Sequence, residues 1–329
     1  MKFKQLVLRL LPAIVLAILF WRLSDNDHFA AIPLGNDKSW YLNAHLGSTR
    51  EIQDRDIFYH NIGQSITNAR AADIIVLGHS MVTIGLRYDQ MDEFSKRTGV
   101  RIFNMSLEGI ASGEFARRII KRWNLKPRLW VINADDTGQS FFSPTMDDFG
   151  GFEESSALRI VNTNRLEGYL HVVRRNIEWR LQDLLNLDNV SAIFKSSYPN
   201  LPTNQSWRSA ITGNVQADRV PEYASHHDGL TVLRDQNCHA GEQEIEAARQ
   251  YIQQLGAPVV LMLAPHQNWC PMRVREIADA IGAEALIPED AHDYSTIDGV
   301  HMDRNGSIAF THTFLASLEK SSAFQSIKH

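Results

Sequence analysis

The sequence predicts an α/β protein in which helices cover both faces of a parallel sheet of about five strands. Two observations predict this fold class. Short apolar segments rich in β-branched residues recur along the chain, and segments with helical periodicity separate them. With 329 residues, of which 44% are hydrophobic and 22% are charged, the chain is long and apolar enough for a complete core.

The first 23 residues, MKFKQLVLRLLPAIVLAILFWRL, predict a transmembrane signal anchor. The segment Leu6–Leu23 can span a hydrocarbon core of ~30 Å if the arginines near its two ends reach the headgroups. A cleaved signal peptide is the alternative, but no small-x-small cleavage site follows the apolar run. Basic residues ahead of that run predict a cytoplasmic N-terminus, with residues 24–329 across the membrane.

Residues 24–70 are polar and irregular, and the sequence predicts a juxtamembrane connection there. The predicted domain covers residues 71–329. Its predicted strands are ADIIVLG (72–78), VRIFNMS (100–106), RLWVINA (128–134), PVVLMLAP (258–265) and EALIPE (284–289). Its predicted helices cover residues 113–125, 243–256, 271–283 and 307–320. This alternation implies right-handed crossovers between parallel strands.

Residues 138–235 interrupt the alternation and are too many for a simple crossover. The sequence predicts a helical insertion that forms a cap over the carboxyl edge of the sheet, where open α/β sheets bind ligands.

Charge and cysteine usage limit the partners and the compartment. The chain has 33 basic and 38 acidic residues and no polybasic run, so we expect no nucleic-acid partner. The two cysteines, Cys238 and Cys270, can form a disulfide in an oxidising compartment. Two unpaired buried thiols are the alternative.

Two motifs carry candidate chemistry. Ser80 follows the first strand directly, in GHS (78–80), where a tight turn into a helix would expose its Oγ; a simple helix N-cap is the alternative. Asp298 precedes His301 by three residues in IDGVHMDRNG. That spacing suits a base with its orienting acid, a pair of metal ligands or a helix cap. Asp303 or Asn305 can also cap the helix that follows.

Four segments resemble blocks of the SGNH (GDSL-like) hydrolase superfamily, over about residues 70–320. They are GHS (78–80), with His79 where Asp is usual, FNMSLEGIAS (103–112), VINADD (131–136) and DGVH (298–301). The resemblance implies a flavodoxin-like three-layer α/β/α fold with an N-terminal transmembrane helix and a helical insertion.

The resemblance also implies a catalytic triad, in which Ser80 is the nucleophile, His301 the general base and Asp298 the acid that orients it. The implied oxyanion hole consists of the N–H groups of Ser80 and Gly109 and a third donor. We expect Asn133 as that donor, with Asn104 in reserve, because aspartates at 135 and 136 occupy the usual position of the asparagine.

Within this superfamily, the chain resembles the membrane-anchored branch, that of polysaccharide O-acetylation and D-alanyl transfer proteins. The implied function is a periplasmic O-acyltransferase of the bacterial inner membrane that acetylates a cell-surface or exported polysaccharide through an acyl-serine. An acyl donor and a polytopic membrane-bound O-acyltransferase are the implied partners, and no cofactor is expected. A carbohydrate or lipid esterase with the same triad is one alternative, and a non-catalytic scaffold of an export complex is another.

Further candidates come from the histidines and one tryptophan. A cluster of His226, His227, Asp228 and His239 would suit a metal, but no HExxH or CxxC spacing accompanies it, so we expect no metal. His79, His226, His227 and Trp269 are candidate substrate contacts. Trp269 would equally suit a loop anchored by the predicted disulfide.

Overall fold

A computed structural model of the protein describes nine parts of the chain. They are residues 33–34, 37–43, 57–58, 61–107, 112–134, 141–142, 206–217, 238–289 and 294–328. Within these parts, no helix is both long enough and apolar enough to cross a membrane. The predicted anchor, residues 1–23, lies outside the described residues.

The described residues form nine strands and eight α-helices. The strands are β1 (Pro33–Leu34), β2 (Asp37–Asn43), β3 (Ile74–Leu77), β4 (Ile102–Asn104), β5 (Leu129–Asn133), β6 (Ser206–Ser209), β7 (Val215–Ala217), β8 (Val259–Met262) and β9 (Glu284–Leu286). The helices are α1 (Ser65–Arg70), α2 (Ser80–Gly85), α3 (Tyr88–Thr98), α4 (Ser112–Trp123), α5 (Glu242–Gln253), α6 (Pro271–Ile281), α7 (Arg304–Lys320) and α8 (Ser322–Ile327).

Five strands form a parallel sheet in the order β4-β3-β5-β8-β9. All five lie inside the segments that the sequence predicts as strands, so the predicted α/β class is confirmed. β3, β5 and β8 are buried along their whole length, as expected for central strands covered on both faces. Their carboxyl ends lie at one edge of the sheet. At this edge the chain continues from β3 into α2, and from β5 and β8 into loops.

The helices pack in two groups. α7 contacts α2 and α3, whereas α5 contacts α6, and α6 lies against β8 and β9. The Tyr251 hydroxyl on α5 donates a hydrogen bond to the carbonyl of Gly113 on α4 (3.0 Å). The four helices that the sequence predicts are confirmed.

The docking of α7 on α2 relies on small side chains. Gly85 lies against Met302, which is fully buried, and a Cβ atom at Gly85 would clash with the Met302 methyl group. The Thr311 hydroxyl shares its proton between the carbonyls of Ser307 (2.7 Å) and Gly85 (3.1 Å), and it accepts from the N–H of Arg87 (2.9 Å). α7 therefore closes against the helix that begins at Ser80.

A second sheet is antiparallel, in the order β1-β2-β6-β7. Residues 206–217, inside the predicted insertion, form a β-hairpin, and the rest of the predicted cap apart from residues 141–142 lies outside the described residues. The expectation of a plain connection at residues 24–70 is wrong, because these residues contribute two strands and α1. Ile57 and Phe58 lie fully buried in the core, so the domain begins before residue 71. The strands are short, and β2 pairs with a strand far away in sequence, so local patterns did not reveal them.

Cys238 and Cys270 form a disulfide with a Cα–Cα distance of 5.6 Å. Both residues are buried, and Cys270 is the N-cap residue of α6. The bond ties the segment ahead of α5 to the start of α6, at the carboxyl edge of the sheet.

Replacement of both cysteines by serine is expected to lower the free energy of unfolding by about 3–4 kcal/mol, because the unfolded chain regains the entropy of an open loop. Urea denaturation of the double variant and of the oxidised wild type measures this difference. An equal stability of the two proteins would contradict the disulfide.

The substitution Gly306→Ala is expected to destabilise the protein although alanine favours a helix. A Cβ atom at this position of α7 would clash with the backbone carbonyl oxygen of Ser295, so the loop must move. We expect the free energy of unfolding to fall by about 1–2 kcal/mol in urea denaturation. Gly241→Ala is the matched control, because a Cβ atom there meets nothing within 4 Å; a control that loses as much would contradict the explanation.

Candidate active site

The turn between β3 and α2 presents Ser80. His79 is the N-cap of α2 and has extended backbone angles, and Ser80 is the first helical residue. The carbonyl of His79 accepts from the N–H of Val82 (2.9 Å), which closes the first turn of the helix. Gly78 permits this tight connection, since a Cβ atom there would lie 2.6 Å from Val82 Cγ2 and 3.0 Å from Asn133 Cβ. The N–H of Ser80 belongs to the first turn, where a helix provides no acceptor of its own.

The structure brings Ser80, His301 and Asp298 together in hydrogen-bonding order. Ser80 Oγ lies 2.8 Å from His301 Nε2, although the two residues are 221 positions apart. His301 Nδ1 lies 2.7 Å from Asp298 Oδ2. A neutral ring with its proton on Nδ1 donates to Asp298 and accepts from the Ser80 hydroxyl, which is the arrangement that a serine nucleophile needs.

Backbone groups fix the carboxylate of Asp298. Its Oδ1 atom accepts hydrogen bonds from the N–H groups of Val300 (2.9 Å) and His301 (2.7 Å). Partial burial would raise the pKa of Asp298, but the backbone and ring N–H groups of His301 and the N–H of Val300 together lower it below its usual 3.8. The carboxylate is therefore ionised at neutral pH and holds the imidazole in one orientation.

The loop that carries Asp298 and His301 is a tight, internally bonded turn. Ile297 N–H donates to the carbonyl of His301 (2.8 Å), and Thr296 forms a bridge with Met302. Gly299 has a φ of +83°, which residues other than glycine rarely adopt.

Two neighbours hold this turn in place. The carbonyl of Gly299 accepts from Gln267 N–H (2.7 Å) in the loop after β8. On the other side, Asp303 is the N-cap of α7 and accepts from Gly306 N–H (2.8 Å). Asp303 thus fulfils the capping role, which leaves Asp298 free to bond to His301 and His301 free to bond to Ser80.

Of the candidate oxyanion donors, the structure describes Ser80, Asn133 and Asn104, whereas Gly109 lies outside the described residues. Asn133 is fully buried beside Gly78; its Oδ1 accepts from Ala264 N–H (2.8 Å), and its Nδ2 has no hydrogen-bond partner among the described residues. Asn104 is also buried, and its Oδ1 accepts from the N–H and hydroxyl of Ser106. In both asparagines, the side-chain oxygen therefore accepts hydrogen bonds within the fold.

The other predicted contacts have varied positions. His79 is largely buried, with its ring edge-on to Phe141 at 5.6 Å between centroids. Trp269 is 1% exposed and belongs to the core, which supports the alternative of a loop anchored by the neighbouring disulfide. His226 and His227 lie outside the described residues.

The contacts of His239 do not indicate a metal site. Its Nδ1 lies 2.6 Å from the Glu276 carboxylate, whose other oxygen accepts from Ala240 N–H (2.8 Å). Across the part of the chain that the structure describes, no three metal-ligating side chains come together.

Sequence reasoning missed several residues next to the site. Thr83 and Ser106 share a buried hydrogen bond (2.8 Å), and Arg208 donates to the carbonyl of Ser106 (2.7 Å). His266, in the loop after β8, is buried and accepts at Nδ1 from Asn268 N–H (3.2 Å). Ser106 and His266 follow strands at the carboxyl edge, which was an available signal; Arg208 offered none.

Comparisons with protein-family models, with curated proteins and with solved structures found no match. The inference of function therefore relies on the site itself, which is a Ser-His-Asp arrangement at the carboxyl edge of a parallel sheet. Such an arrangement is typical of enzymes that transfer acyl groups through a serine.

The substitution Asp298→Asn is expected to change how stability depends on pH. Because the pKa of Asp298 is lowered on folding, its carboxylate stabilises the folded state above about pH 3.8, and this contribution is lost as the pH falls below that value. The wild type should therefore exceed the variant in free energy of unfolding at pH 6, and the gap should narrow toward pH 3.

Urea denaturation at a series of pH values measures this gap. Asp279→Asn, on the exposed face of α6, is the matched control and should leave the pH dependence of the wild type unchanged. A gap for Asp298→Asn that stays constant from pH 6 to pH 3 would contradict the role given to the carboxylate.

Proposed function

We propose that the protein is a membrane-anchored, periplasm-facing O-acyltransferase that acetylates a cell-surface or exported polysaccharide through an acyl-serine intermediate. The observation that carries this proposal is the continuous hydrogen-bonded chain from Ser80 Oγ through the His301 ring to the Asp298 carboxylate. The motifs that resemble the SGNH superfamily, and its flavodoxin-like fold, support the same assignment.

In the first half-reaction, Ser80 Oγ attacks the carbonyl carbon of the acyl donor. His301 Nε2 accepts the hydroxyl proton as the new C–O bond forms, and the ionised Asp298 stabilises the imidazolium. Collapse of the tetrahedral intermediate expels the donor's leaving group, which takes the proton from His301. The acyl group is then an ester of Ser80.

The oxyanion of the tetrahedral intermediate needs hydrogen-bond donors. The N–H of Ser80 is one, and the family resemblance assigns the N–H of Gly109 as a second. Each such donor contributes about 3–4 kcal/mol to lowering the barrier. Asn133 Nδ2 is the third candidate, since its other amide atom already accepts from the N–H of Ala264.

In the second half-reaction, a hydroxyl group of the polysaccharide enters in place of the leaving group. His301 takes its proton, the oxygen attacks the acyl carbon, and Ser80 leaves with the proton restored. The acceptor becomes an O-acyl ester and the enzyme returns to its starting state. No cofactor participates in either step.

Two features support the proposed location. Basic residues ahead of the predicted N-terminal anchor favour a domain outside the cytoplasm. The Cys238–Cys270 disulfide suits an oxidising compartment such as the periplasm. A polytopic membrane-bound O-acyltransferase is the proposed partner, because acyl groups made in the cytoplasm must cross the bilayer to reach this site.

Hydrolysis is the second candidate function, and one observation favours it. The side chain of Asp298 is 51% exposed and that of His301 is 19% exposed, so water can approach the base. With water in place of the polysaccharide hydroxyl, the same triad is an esterase. The scaffold alternative gains no support from a hydrogen-bonded triad.

Replacement of Ser80 by alanine is expected to lower acyl turnover at least about 1,000-fold, because the covalent intermediate can no longer form. Full-length protein in detergent, with p-nitrophenyl acetate as the donor, allows release of nitrophenolate to be followed. Ser326→Ala, which changes an exposed residue of α8, is the matched control and should retain wild-type turnover.

The same assay distinguishes transfer from hydrolysis. With an oligosaccharide acceptor added, mass spectrometry of the products detects an acetylated sugar if the protein is a transferase and free acetate alone if it is an esterase. Turnover that survives Ser80→Ala would overturn both.

A further inference from the structure

Arg208 is a buried cation that the inserted hairpin brings to the edge of the parallel sheet. It lies on β6 and is fully buried. Its Nη2 atom donates to the carbonyl oxygens of Asn104 (3.1 Å) and Ser106 (2.7 Å), and its guanidinium lies 4.7 Å from the centre of the Phe58 ring. Burial of a guanidinium is costly unless it makes charge-assisted hydrogen bonds. The two carbonyl groups supply such bonds.

Those carbonyl groups belong to the segment that continues β4 toward the catalytic edge. Met105 and Leu107 donate their N–H groups to the carbonyls of Val76 (2.8 Å) and Gly78 (2.9 Å), on the side of β3. Alternate residues of an extended segment direct their backbone groups to opposite sides. The carbonyl groups that face away from β3 are therefore the ones that Arg208 engages, and the segment is held from both sides.

The same segment is joined to the helix that starts with Ser80. The Ser106 hydroxyl donates to Asn104 Oδ1 (2.6 Å) and therefore accepts from the Thr83 hydroxyl (2.8 Å). Thr83 lies on α2, and its N–H donates to the carbonyl of His79 (3.2 Å). These side chains are almost completely buried, so the hydrogen bonds are not weakened by competing water.

We propose that Arg208 is a positioning residue for the oxyanion side of the active site. It fixes residues 104–107, and through Ser106 and Thr83 it fixes α2, which presents the N–H of Ser80. Oxyanion donors stabilise the transition state only when they are held within about 0.5 Å of the productive geometry. This inference rests on the proposed function, since it assumes that an oxyanion develops beside Ser80.

The inserted hairpin is thereby a part of the catalytic domain. The N–H of Asn104 donates to the carbonyl of Thr212 in the hairpin (2.7 Å), and Gly213 packs directly on the Asn104 carbonyl. A residue with a purely structural role would change the amount of folded protein, whereas a positioning residue also changes the rate of each folded molecule.

The test compares Arg208→Met with Arg208→Lys in the full-length protein in detergent. The methionine variant removes both donors at similar volume, and we expect kcat for p-nitrophenyl acetate, per folded molecule, to fall about 100-fold with KM within about threefold. The lysine variant retains donors that can bond to the carbonyl groups, so its kcat should be about 10-fold higher than that of the methionine variant.

Phe324→Leu is the control for stability, because it alters a fully buried core residue in α8 and should keep kcat within about twofold of the wild type. The positioning role is overturned if Arg208→Met retains the kcat of this control, or if only its KM changes. If the methionine variant does not fold, the lysine variant alone decides: a kcat equal to that of the wild type overturns the role, and a loss of about 10-fold supports it.

Amide hydrogen exchange distinguishes this inference from the proposed function. Faster exchange at Met105 and Leu107 in the lysine variant, with unchanged exchange in β8, shows that Arg208 orders the segment whether or not Ser80→Ala retains turnover. If Ser80→Ala retains turnover, the proposed function fails and the positioning role fails with it; if Ser80→Ala abolishes turnover, faster exchange together with the loss of kcat supports the positioning role. Unchanged exchange at Met105 and Leu107 overturns the positioning role.

Discussion

The packing of α7 against α2 determines where His301 lies relative to Ser80. Met302 follows His301 directly and inserts against Gly85, while Thr311 bonds to the carbonyl of Gly85. Ser80 begins the helix that Gly85 ends. The separation of 2.8 Å between Ser80 and His301 is therefore a consequence of helix packing five residues away as much as of the turn that contains Asp298. Gly85 leaves room for the terminal methyl group of Met302.

The parallel sheet was predictable because each of its strands is a local signal. Segments such as IIVL and LWVIN are continuous apolar runs, which an α/β protein buries on both faces. The antiparallel sheet was not predictable, because its strands give no such local signal. Its strands are short and half polar, and β2 pairs with β6 through backbone bonds across more than 150 positions. No local pattern records a partner at that distance.

The site divides in a similar way. Ser80, Asp298 and His301 could be predicted because each triad residue occupies a position with a recognisable spacing or turn, and their chemistry is specific. Arg208 could not, because a single arginine in a polar stretch is ordinarily solvated; its importance comes from burial, which only the fold determines. Trp269 shows the reverse error, since an aromatic residue at the correct edge of the sheet proved to be part of the core.

The order of the site residues along the chain has a consequence for biosynthesis. The core strands from β3 to β9 precede Asp298 and His301, so a nascent chain can order its sheet before either residue of the acid–base pair has been synthesised. Ser80 gains its hydrogen bond to His301 only when α7 has packed against α2. Until the segment that carries Asp298 and His301 has been made and has docked, the Ser80 hydroxyl therefore lacks this partner.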